Sequence, residues 1–288
     1  MRRAVYRSRV RGVSIIEVLV SMVIGLVVVG AVLVSYLGSG KTSKIQAAYA
    51  EMNESAQIAM TLLNRDLLLA GYAQPTGVSG SSTFTRSYSD RPVFGCERGL
   101  DVVARRNQLA PWDAAVCAPA GSADHVIEIV YEADLTNTVP TAANLPSDCV
   151  GNSLPATGAG TATYYIAHNR YYLSASAAGK SELYCASQQG AAGQPLVDNV
   201  EALRIWYGEA NAANPRQIVR YVTASGVADW GRVLSVRTCL LMRSTEAVLD
   251  SEDVLTYLDC DGVQQSSADR YARRAYFTTT TLRNKMAF

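Results

Sequence analysis

The chain has 288 residues, of which 49% are hydrophobic and 18% are charged. Its 26 basic and 25 acidic side chains leave a net charge of +1, which excludes a strongly basic nucleic-acid binder and an acidic disordered chain. The two histidines, His125 and His168, are too few for a His-rich metal enzyme.

The chain opens with a basic leader and a long apolar segment. Residues 1–12, MRRAVYRSRVRG, contain five arginines and no acid, whereas residues 13–37, VSIIEVLVSMVIGLVVVGAVLVSYL, contain a single charge, Glu17. About 20 apolar residues cross the hydrocarbon core of a bilayer as a helix, and a basic flank stays on the cytoplasmic side. No A-x-A-like cut site follows, so we expect a retained helix in the bacterial inner membrane, with the rest of the chain exported.

Glu17 is unusual because a carboxylate in an apolar helix is costly and generally functional. The string Gly12-Val13-Ser14-Ile15-Ile16-Glu17, between the Arg-rich leader and the apolar run, resembles the prepilin signature of type IV pilins and type II secretion pseudopilins. The resemblance implies cleavage between Gly12 and Val13 and N-methylation of Val13, which stands where Phe or Met is more usual. It also implies that Glu17 is the assembly glutamate, paired with the terminal amine of a neighbouring subunit.

Helical periodicity continues beyond the apolar segment. Apolar residues recur in steps of three and four, as on one face of a helix: Ile45, Tyr49, Met52, Ala56, Ala59, Leu63, Leu67 and Ala70. Gly71 follows as a C-cap. We therefore predict one helix over 13–71, transmembrane over 13–37 and amphipathic over 38–71, with its second half packed on a globular domain. Gly38 and Gly40 are predicted to form a hinge, since each glycine weakens a helix by about 1 kcal/mol.

Residues 72–288 are predicted to form one mainly antiparallel β-domain, which gives the chain an α+β fold. Small and polar residues predict loops over 73–95, 140–162 and 186–195. Strands are predicted where Val, Ile, Tyr and Thr dominate: Val126–Tyr131, Thr163–Ala167, Tyr171–Ser174, Val200–Tyr207, Ile218–Thr223, Val233–Arg243, Val254–Leu258 and Ala275–Thr281.

The C-terminal half resembles the PilW family of minor pilins. The resemblance rests on 196–203 (LVDNVEAL), 206–208 (WYG), 230–237 (WGRVLSVR), 240–244 (LLMRS) and 274–284 (RAYFTTTTLRN), and 66–72 (DLLLAGY) also fits. It covers both ends of the chain well and the middle, 75–195, poorly. Because these segments are mostly strand cores, they identify a family rather than locate a site.

Six cysteines lie on the side that is predicted to be exported. An even number in an oxidising compartment indicates disulfides, and six cysteines allow 15 connectivities, among which sequence alone does not choose. We favour pairs of sequence neighbours, which would brace the loop-rich middle and tie two strands: Cys96–Cys117, Cys149–Cys185 and Cys239–Cys260.

We expect no catalytic residue, cofactor or metal. The chain has no G-x-S-x-G motif, no C-x-x-C pair and no glycine-rich phosphate loop. The string Asp259-Cys260-Asp261-Gly262 faintly suggests a calcium loop, but it lacks the other ligands of an EF-hand and is interpreted as a turn. Basic residues near the end are interpreted as a solvated strand face, with contact to DNA or an acidic neighbour as the alternative: Arg270, Arg273, Arg274, Arg283 and Lys285.

These resemblances imply a minor pilin that primes type IV pilus assembly and sits at or near the pilus tip. Twitching motility, adhesion and DNA uptake would follow through the pilus. The implied partners are other minor pilins, the major pilin, a large tip-associated adhesin, the prepilin peptidase and the inner-membrane assembly platform. Direct binding of nucleic acid is not expected, because the basic tract lacks density and aromatic interleaving.

Two alternatives stay open at this point. A J-type minor pseudopilin of a type II secretion system shares the plan of helix and β-domain, although its chain is typically shorter. A membrane-tethered periplasmic enzyme would use the helix only as an anchor, but the cut-site motif and the missing catalytic set argue against it.

Overall fold

The structure is a computed structural model. It describes residues 12–77, 84–86, 91–99, 117–118, 124–157, 163–177, 179–187, 193–250 and 254–285. The chain divides into two compact units, residues 1–47 and 48–288.

One long helix, α1, runs from Ile15 to Leu69. Gly71 follows it with φ +71°, a left-handed conformation that glycine adopts without strain, and its N–H donates to the Val130 carbonyl over 2.9 Å. The predicted C-cap is therefore confirmed, and the helix bounds lie within two residues of those predicted. Among the periodic residues of the amphipathic half, those from Met52 onward are buried.

Fourteen strands are described: β1 (Pro75–Gly77), β2 (Phe84–Arg86), β3 (Val93–Cys96), β4 (Val126–Ala133), β5 (Ala156–Thr157), β6 (Tyr164–Ala175), β7 (Ser181–Ser187), β8 (Gln194–Asp198), β9 (Val200–Ala210), β10 (Ile218–Val222), β11 (Val233–Ala247), β12 (Leu255–Leu258), β13 (Gln264–Ser267) and β14 (Tyr271–Thr281). All the pairings among them are antiparallel.

Two larger sheets organise the second unit. The first has the order β3-β4-β6-β7-β8, with β5 added beside β6, and the second has the order β10-β9-β11-β14. The pairs β1–β2 and β12–β13 form separate two-stranded sheets. One apolar core joins residues of α1 to both larger sheets, among them Leu63 and Leu67 of the helix, Ile129 of β4 and Leu240 of β11. The predicted α+β class is confirmed.

The strand predictions were wrong at several places, and they missed β5, β7 and β13. Thr163–Ala167 and Tyr171–Ser174 belong to a single strand, β6. The middle of β6, His168 to Arg170, consists of polar residues. It is nevertheless buried, because its side chains are paired inside the domain. The segments predicted as loops over 73–95 and 186–195 contain β1, β2 and β3, and the ends of β7 and β8.

Candidate functional site

The three residues before α1, Gly12 to Ser14, have no regular secondary structure. The carbonyl of Ser14 accepts hydrogen bonds from the N–H groups of Glu17 (3.0 Å) and Val18 (3.2 Å). Gly12 and Val13 are exposed, so the peptide bond between them is accessible to a peptidase. The leader residues 1–11 lie outside the described residues.

Glu17 lies in the first turn of α1, where the helix dipole favours a negative charge. No described basic side chain of this chain forms an ion pair with it. Its backbone carbonyl accepts a hydrogen bond from the Ser21 hydroxyl over 2.7 Å, within the same helix.

The helix residues around Glu17 have the character of a membrane-spanning segment. Every described residue from Gly12 to Gly40 is exposed, including Val13, Ile15 and Ile16, and α1 is long and apolar enough to cross a bilayer. Such an apolar surface is compatible with lipid or with other apolar helices.

Gly38 and Gly40 lie inside α1, which is helical through both of them. The Thr42 hydroxyl donates to the Gly38 carbonyl over 3.2 Å, and a Cβ added at either glycine would meet nothing within 4 Å. The helix is therefore not broken there, and the hinge stays a prediction about its stiffness.

Asp66 connects the C-terminal part of α1 to the first sheet. Its Oδ2 accepts hydrogen bonds from the Tyr171 hydroxyl and from Asn169 Nδ2, both at 2.7 Å, and its Oδ1 accepts from the Tyr131 hydroxyl at 3.1 Å. Burial raises the pKa of Asp66, although these three hydrogen bonds and nearby Arg65 oppose that shift. Three donors aimed at one buried carboxylate fix the end of the helix on β4 and β6.

A second buried polar group lies on the same two strands. Arg170 Nε donates to Glu128 Oε1 over 2.6 Å, and His168 Nε2 lies 3.5 Å from Glu128 Oε2. Glu128 and Arg170 are direct register partners across β4 and β6. His168 and Arg170 hold the pKa of Glu128 below its usual range despite burial. Sequence reasoning missed this group, because only the strand register shows that these polar residues face each other.

His125 precedes β4 and fastens it to β9. His125 Nδ1 lies 2.8 Å from the Ile205 nitrogen, whose N–H donates to it in the tautomer with Nδ1 unprotonated, and 3.2 Å from the Ile205 carbonyl oxygen. Burial, with Arg204 nearby, lowers the pKa of His125 to about 4. This imidazole is therefore neutral at pH 7 and connects the start of β4 to β9.

The six cysteines form three disulfides between sequence neighbours. The Cα atoms are 5.3 Å apart in Cys96–Cys117, 6.4 Å in Cys149–Cys185 and 5.7 Å in Cys239–Cys260. The first disulfide involves Cys96, the last residue of β3. The second joins the 134–153 loop to β7, and the third joins β11 to the turn that follows β12. They brace the long connections of the exported domain.

The loop with two aspartates after β12 is a turn. Asp259 Oδ1 accepts hydrogen bonds from the N–H groups of Asp261 and Val263, both at 2.9 Å. Within the described residues, no group of three or more His, Cys, Asp and Glu could hold a metal ion.

The basic residues near the end do not form one solvated face. Arg273 is only 8% exposed and lies between Glu201 and Asp269. Arg274 and Arg283 are exposed, while Arg270 donates to the Leu249 carbonyl. The side chain of Lys285 lies outside the described part. The interpretation as a common solvated face was therefore wrong for Arg273, because its guanidinium is neutralised internally.

Comparison with known proteins bears on both ends of the chain. Residues 170–284 match the family model of type IV pilus-assembly protein W, PilW, and residues 7–33 match the prokaryotic N-terminal methylation motif. Residues 170–284 are thus similar to PilW-type pilins, and the N-terminal segment carries a prepilin signature. This supports a minor-pilin role in type IV pili, and the motif with its apolar helix indicates membrane anchoring.

One solved structure is also similar to this chain. It is the type IV-like pilin TTHA1219 from Thermus thermophilus, with 12% sequence identity and a TM-score of 0.40. The match covers 82% of the present chain and 100% of that chain. No curated protein matches the sequence.

The family matches cover two separate parts of the chain. They include Gly12, Val13 and Glu17 at one end and, at the other, the strands from the second half of β6 to β14. Between Tyr72 and Asn169, where no family model matches, lie β3, β4 and the loop held by Cys149. Asp66 belongs to neither matched range, although it fixes the helix on the matched strand β6.

Proposed function

We propose that this pilin primes type IV pilus assembly and sits at or near the pilus tip together with other minor pilins. The observation that carries the proposal is the combination, in one chain, of an apolar helix whose only charge over 13–37 is Glu17 with a PilW-type C-terminal half. Twitching motility, adhesion and DNA uptake would depend on the chain through the pilus that it helps to start.

Maturation of the chain would prepare its first helical turn for assembly. The prepilin peptidase cuts between Gly12 and Val13, and the new terminal amine of Val13 is methylated. The cut removes residues 1–12 and five positive charges, so that 21 basic and 25 acidic side chains remain, a net charge of 21 − 25 = −4. The exposure of Gly12 and Val13 supports this step, as does the observation that no described basic side chain pairs with Glu17.

Glu17 would then select the axial position of a neighbour. In an apolar bundle, a carboxylate is costly unless a cation pairs with it. The terminal amine of an adjacent subunit supplies that cation when the two helices are in the correct register. Subunits would be drawn from the inner membrane by the assembly platform, with the major pilin and a large tip-associated adhesin as further partners.

A deletion strain tests the function. We expect loss of surface pili with normal secretion of exoproteins, and partial recovery of pili when retraction is also blocked, because initiation is the step lost. Normal pili together with lost secretion would instead indicate a J-type minor pseudopilin. No change in either would contradict the proposal.

Variants of Glu17 test the mechanism in the complemented strain. Glu17→Gln keeps size and removes the charge, so we expect normal cleavage and membrane insertion but reduced incorporation into pili. Ser21→Ala is the matched control, since this hydroxyl bonds only to the carbonyl one turn earlier in its own helix. Normal incorporation of Glu17→Gln would refute the pairing.

A further inference from the structure

The four-stranded sheet has an outer face that is not part of the main core. On its inner side, Leu203, Ile205 and Leu240 are buried in the core. Side chains alternate along a strand, so the residues between them point the other way. Register places Arg237 between Trp206 of β9 and Thr279 of β14, and Cys239 between Arg204 and Phe277. We call these residues, together with the register pair Arg243 and Arg273 further along β11 and β14, the outer face.

Part of the outer face is covered by the β12–β13 hairpin. The disulfide Cys239–Cys260 joins the hairpin to β11, and Arg204 Nε lies 3.7 Å from Asp261 Oδ2. Cys239, Leu241 and Cys260 are buried in a small separate cluster beside Tyr257. The cover does not reach the other part, where Arg237 and Thr279 are exposed and Phe277 is 47% exposed.

Four arginines of the outer face differ in how they are neutralised. Arg204 pairs with Asp124 at 3.0 Å, Arg243 pairs with Glu201 at 3.3 Å, and Arg273 pairs with Glu201 at 2.6 Å. Arg237 forms no ion pair with any described carboxylate. Of these four arginines, Arg237 is the exposed one, and it lies on the part of the outer face that the hairpin does not cover.

Arg237 is nevertheless held in place by two aromatic rings. Its guanidinium carbon lies 5.7 Å from the ring centroid of Trp206 and 5.2 Å from that of Phe277. Stacking restricts the side chain while its N–H donors stay directed toward solvent. Arginine, tryptophan and phenylalanine are also enriched in protein interfaces, where a planar guanidinium binds a carboxylate through two parallel hydrogen bonds.

We propose that Trp206, Arg237 and Phe277 form a docking surface for a segment of a neighbouring pilus subunit that presents a carboxylate beside an apolar side chain. The carboxylate pairs with Arg237, and the apolar side chain packs on the exposed ring of Phe277. Charge complementarity favours this occupant, because the one guanidinium without a described carboxylate partner matches one carboxylate. A polyanion such as DNA would need several free cations, whereas the other three arginines are already paired. That the occupant is a pilus subunit rests on the proposed function.

Site-directed photocrosslinking in cells tests the docking surface. The full chain carries a benzoylphenylalanine at exposed Thr279, beside Arg237 in the sheet, and complements the deletion strain. We expect one main adduct with another exported subunit, mapped by peptide sequencing to a segment that contains Asp or Glu. Arg237→Glu should lower the adduct at least about tenfold, because it turns attraction into repulsion, and Arg237→Gln should lower it less.

A charge exchange separates contact from folding. Replacing the mapped carboxylate by arginine should restore the adduct with Arg237→Glu. Arg216→Glu is the matched control, since Arg216 is exposed in the turn between β9 and β10 and pairs with no described carboxylate. Protein level and disulfide content of each variant are followed on non-reducing immunoblots. An adduct that Arg237→Glu leaves unchanged would overturn the proposal.

Further results of the crosslinking and deletion experiments also test the proposal. An adduct formed only with nucleic acid or lipid, or no adduct in cells that assemble pili, would overturn the docking surface. If the deletion strain still makes pili, the proposed function fails, whereas a charge-dependent adduct with a carboxylate-bearing protein segment would still support docking at Arg237. The two failures are therefore distinguishable.

Discussion

Tyr171 donates a hydrogen bond from its hydroxyl to Oδ2 of Asp66 across 2.7 Å, which joins β6 to the last turns of α1. Both side chains are buried, so losing this donor leaves a buried carboxyl oxygen with one hydrogen bond fewer. We expect Tyr171→Phe to lower the free energy of unfolding by about 2 kcal/mol. Urea unfolding of the detergent-solubilised full chain, followed by tryptophan fluorescence, measures the change.

Tyr184→Phe is the control for that variant. Its hydroxyl also bonds a carboxylate, Glu182 Oε2 at 3.1 Å, but this pair lies at the domain surface. We expect a change within about 0.5 kcal/mol. Equal losses for the two variants would show that Asp66 is not a special connection between helix and sheet.

His125 makes stability depend on pH. Its pKa is about 4 in the folded chain and 6.5 ordinarily. Between these values the unfolded chain binds a proton that the folded chain does not bind. The free energy of unfolding therefore decreases as the pH falls from 6.5 to 4, by up to about 3 kcal/mol from this residue.

His125→Asn isolates this contribution. The asparagine oxygen replaces Nδ1 as acceptor for the Ile205 N–H, but it does not titrate in this range. Unfolding curves measured at several pH values between 4 and 7 should be flatter for the variant than for the parent chain. Identical pH dependence would contradict the assignment.

The sequence predicted the parts of the fold that follow from apolar periodicity. The steps from Met52 to Ala70 gave the buried face of α1, and runs of Val, Ile and Tyr gave most strands of the second sheet. The middle of β6 could not be predicted in this way. Arg170 and His168 are polar, and their burial depends on Glu128 from another strand, a long-range pairing that no local pattern contains.

The candidate sites also differ in how far the sequence alone could predict them. Gly12, Val13 and Glu17 form a contiguous motif, so the sequence could identify them without a structure. Asp66 and the outer face are assembled from distant segments. Arg237 becomes distinctive only when register places Trp206 and Phe277 on either side and the neighbouring arginines are seen to be paired.

The buried Glu128–Arg170 ion pair can be compared with the partly exposed Glu209–Arg220 ion pair. Arg170 is fully buried, so Arg170→Met leaves the buried Glu128 carboxylate with only His168 nearby and should cost about 3 kcal/mol of unfolding free energy. Arg220→Met removes a partner of Glu209, but the Arg220 side chain is 50% exposed and the cost should be about 1 kcal/mol or less.

A double variant completes that comparison. Glu128→Leu combined with Arg170→Met removes both charges and should recover much of the stability lost in the single variant, because no buried charge is left alone. Urea unfolding of the full chain measures all three. A double variant less stable than Arg170→Met would refute this account.

The Cys239–Cys260 bridge should act locally on the hairpin. Replacing both cysteines by alanine is expected to lower the unfolding free energy by about 2–4 kcal/mol and to make residues 255–267 sensitive to limited proteolysis. The matched pair is Cys149→Ala with Cys185→Ala, which leaves the hairpin attached. Equal proteolysis of the hairpin in both pairs would contradict a local role.

The predicted hinge can be tested without steric damage. A Cβ at Gly38 or Gly40 meets nothing within 4 Å. The double variant Gly38→Ala with Gly40→Ala should therefore stabilise the helical conformation of α1 by about 1 kcal/mol per site without a steric clash. If bending there accompanies extraction from the membrane, pili should be fewer while protein level and cleavage stay normal. Gly25→Ala with Gly30→Ala is the matched control, since both glycines lie in α1 with equal space. A similar effect of both pairs would mean that helix stiffness matters throughout the apolar segment, and normal pili with the first pair would refute the hinge.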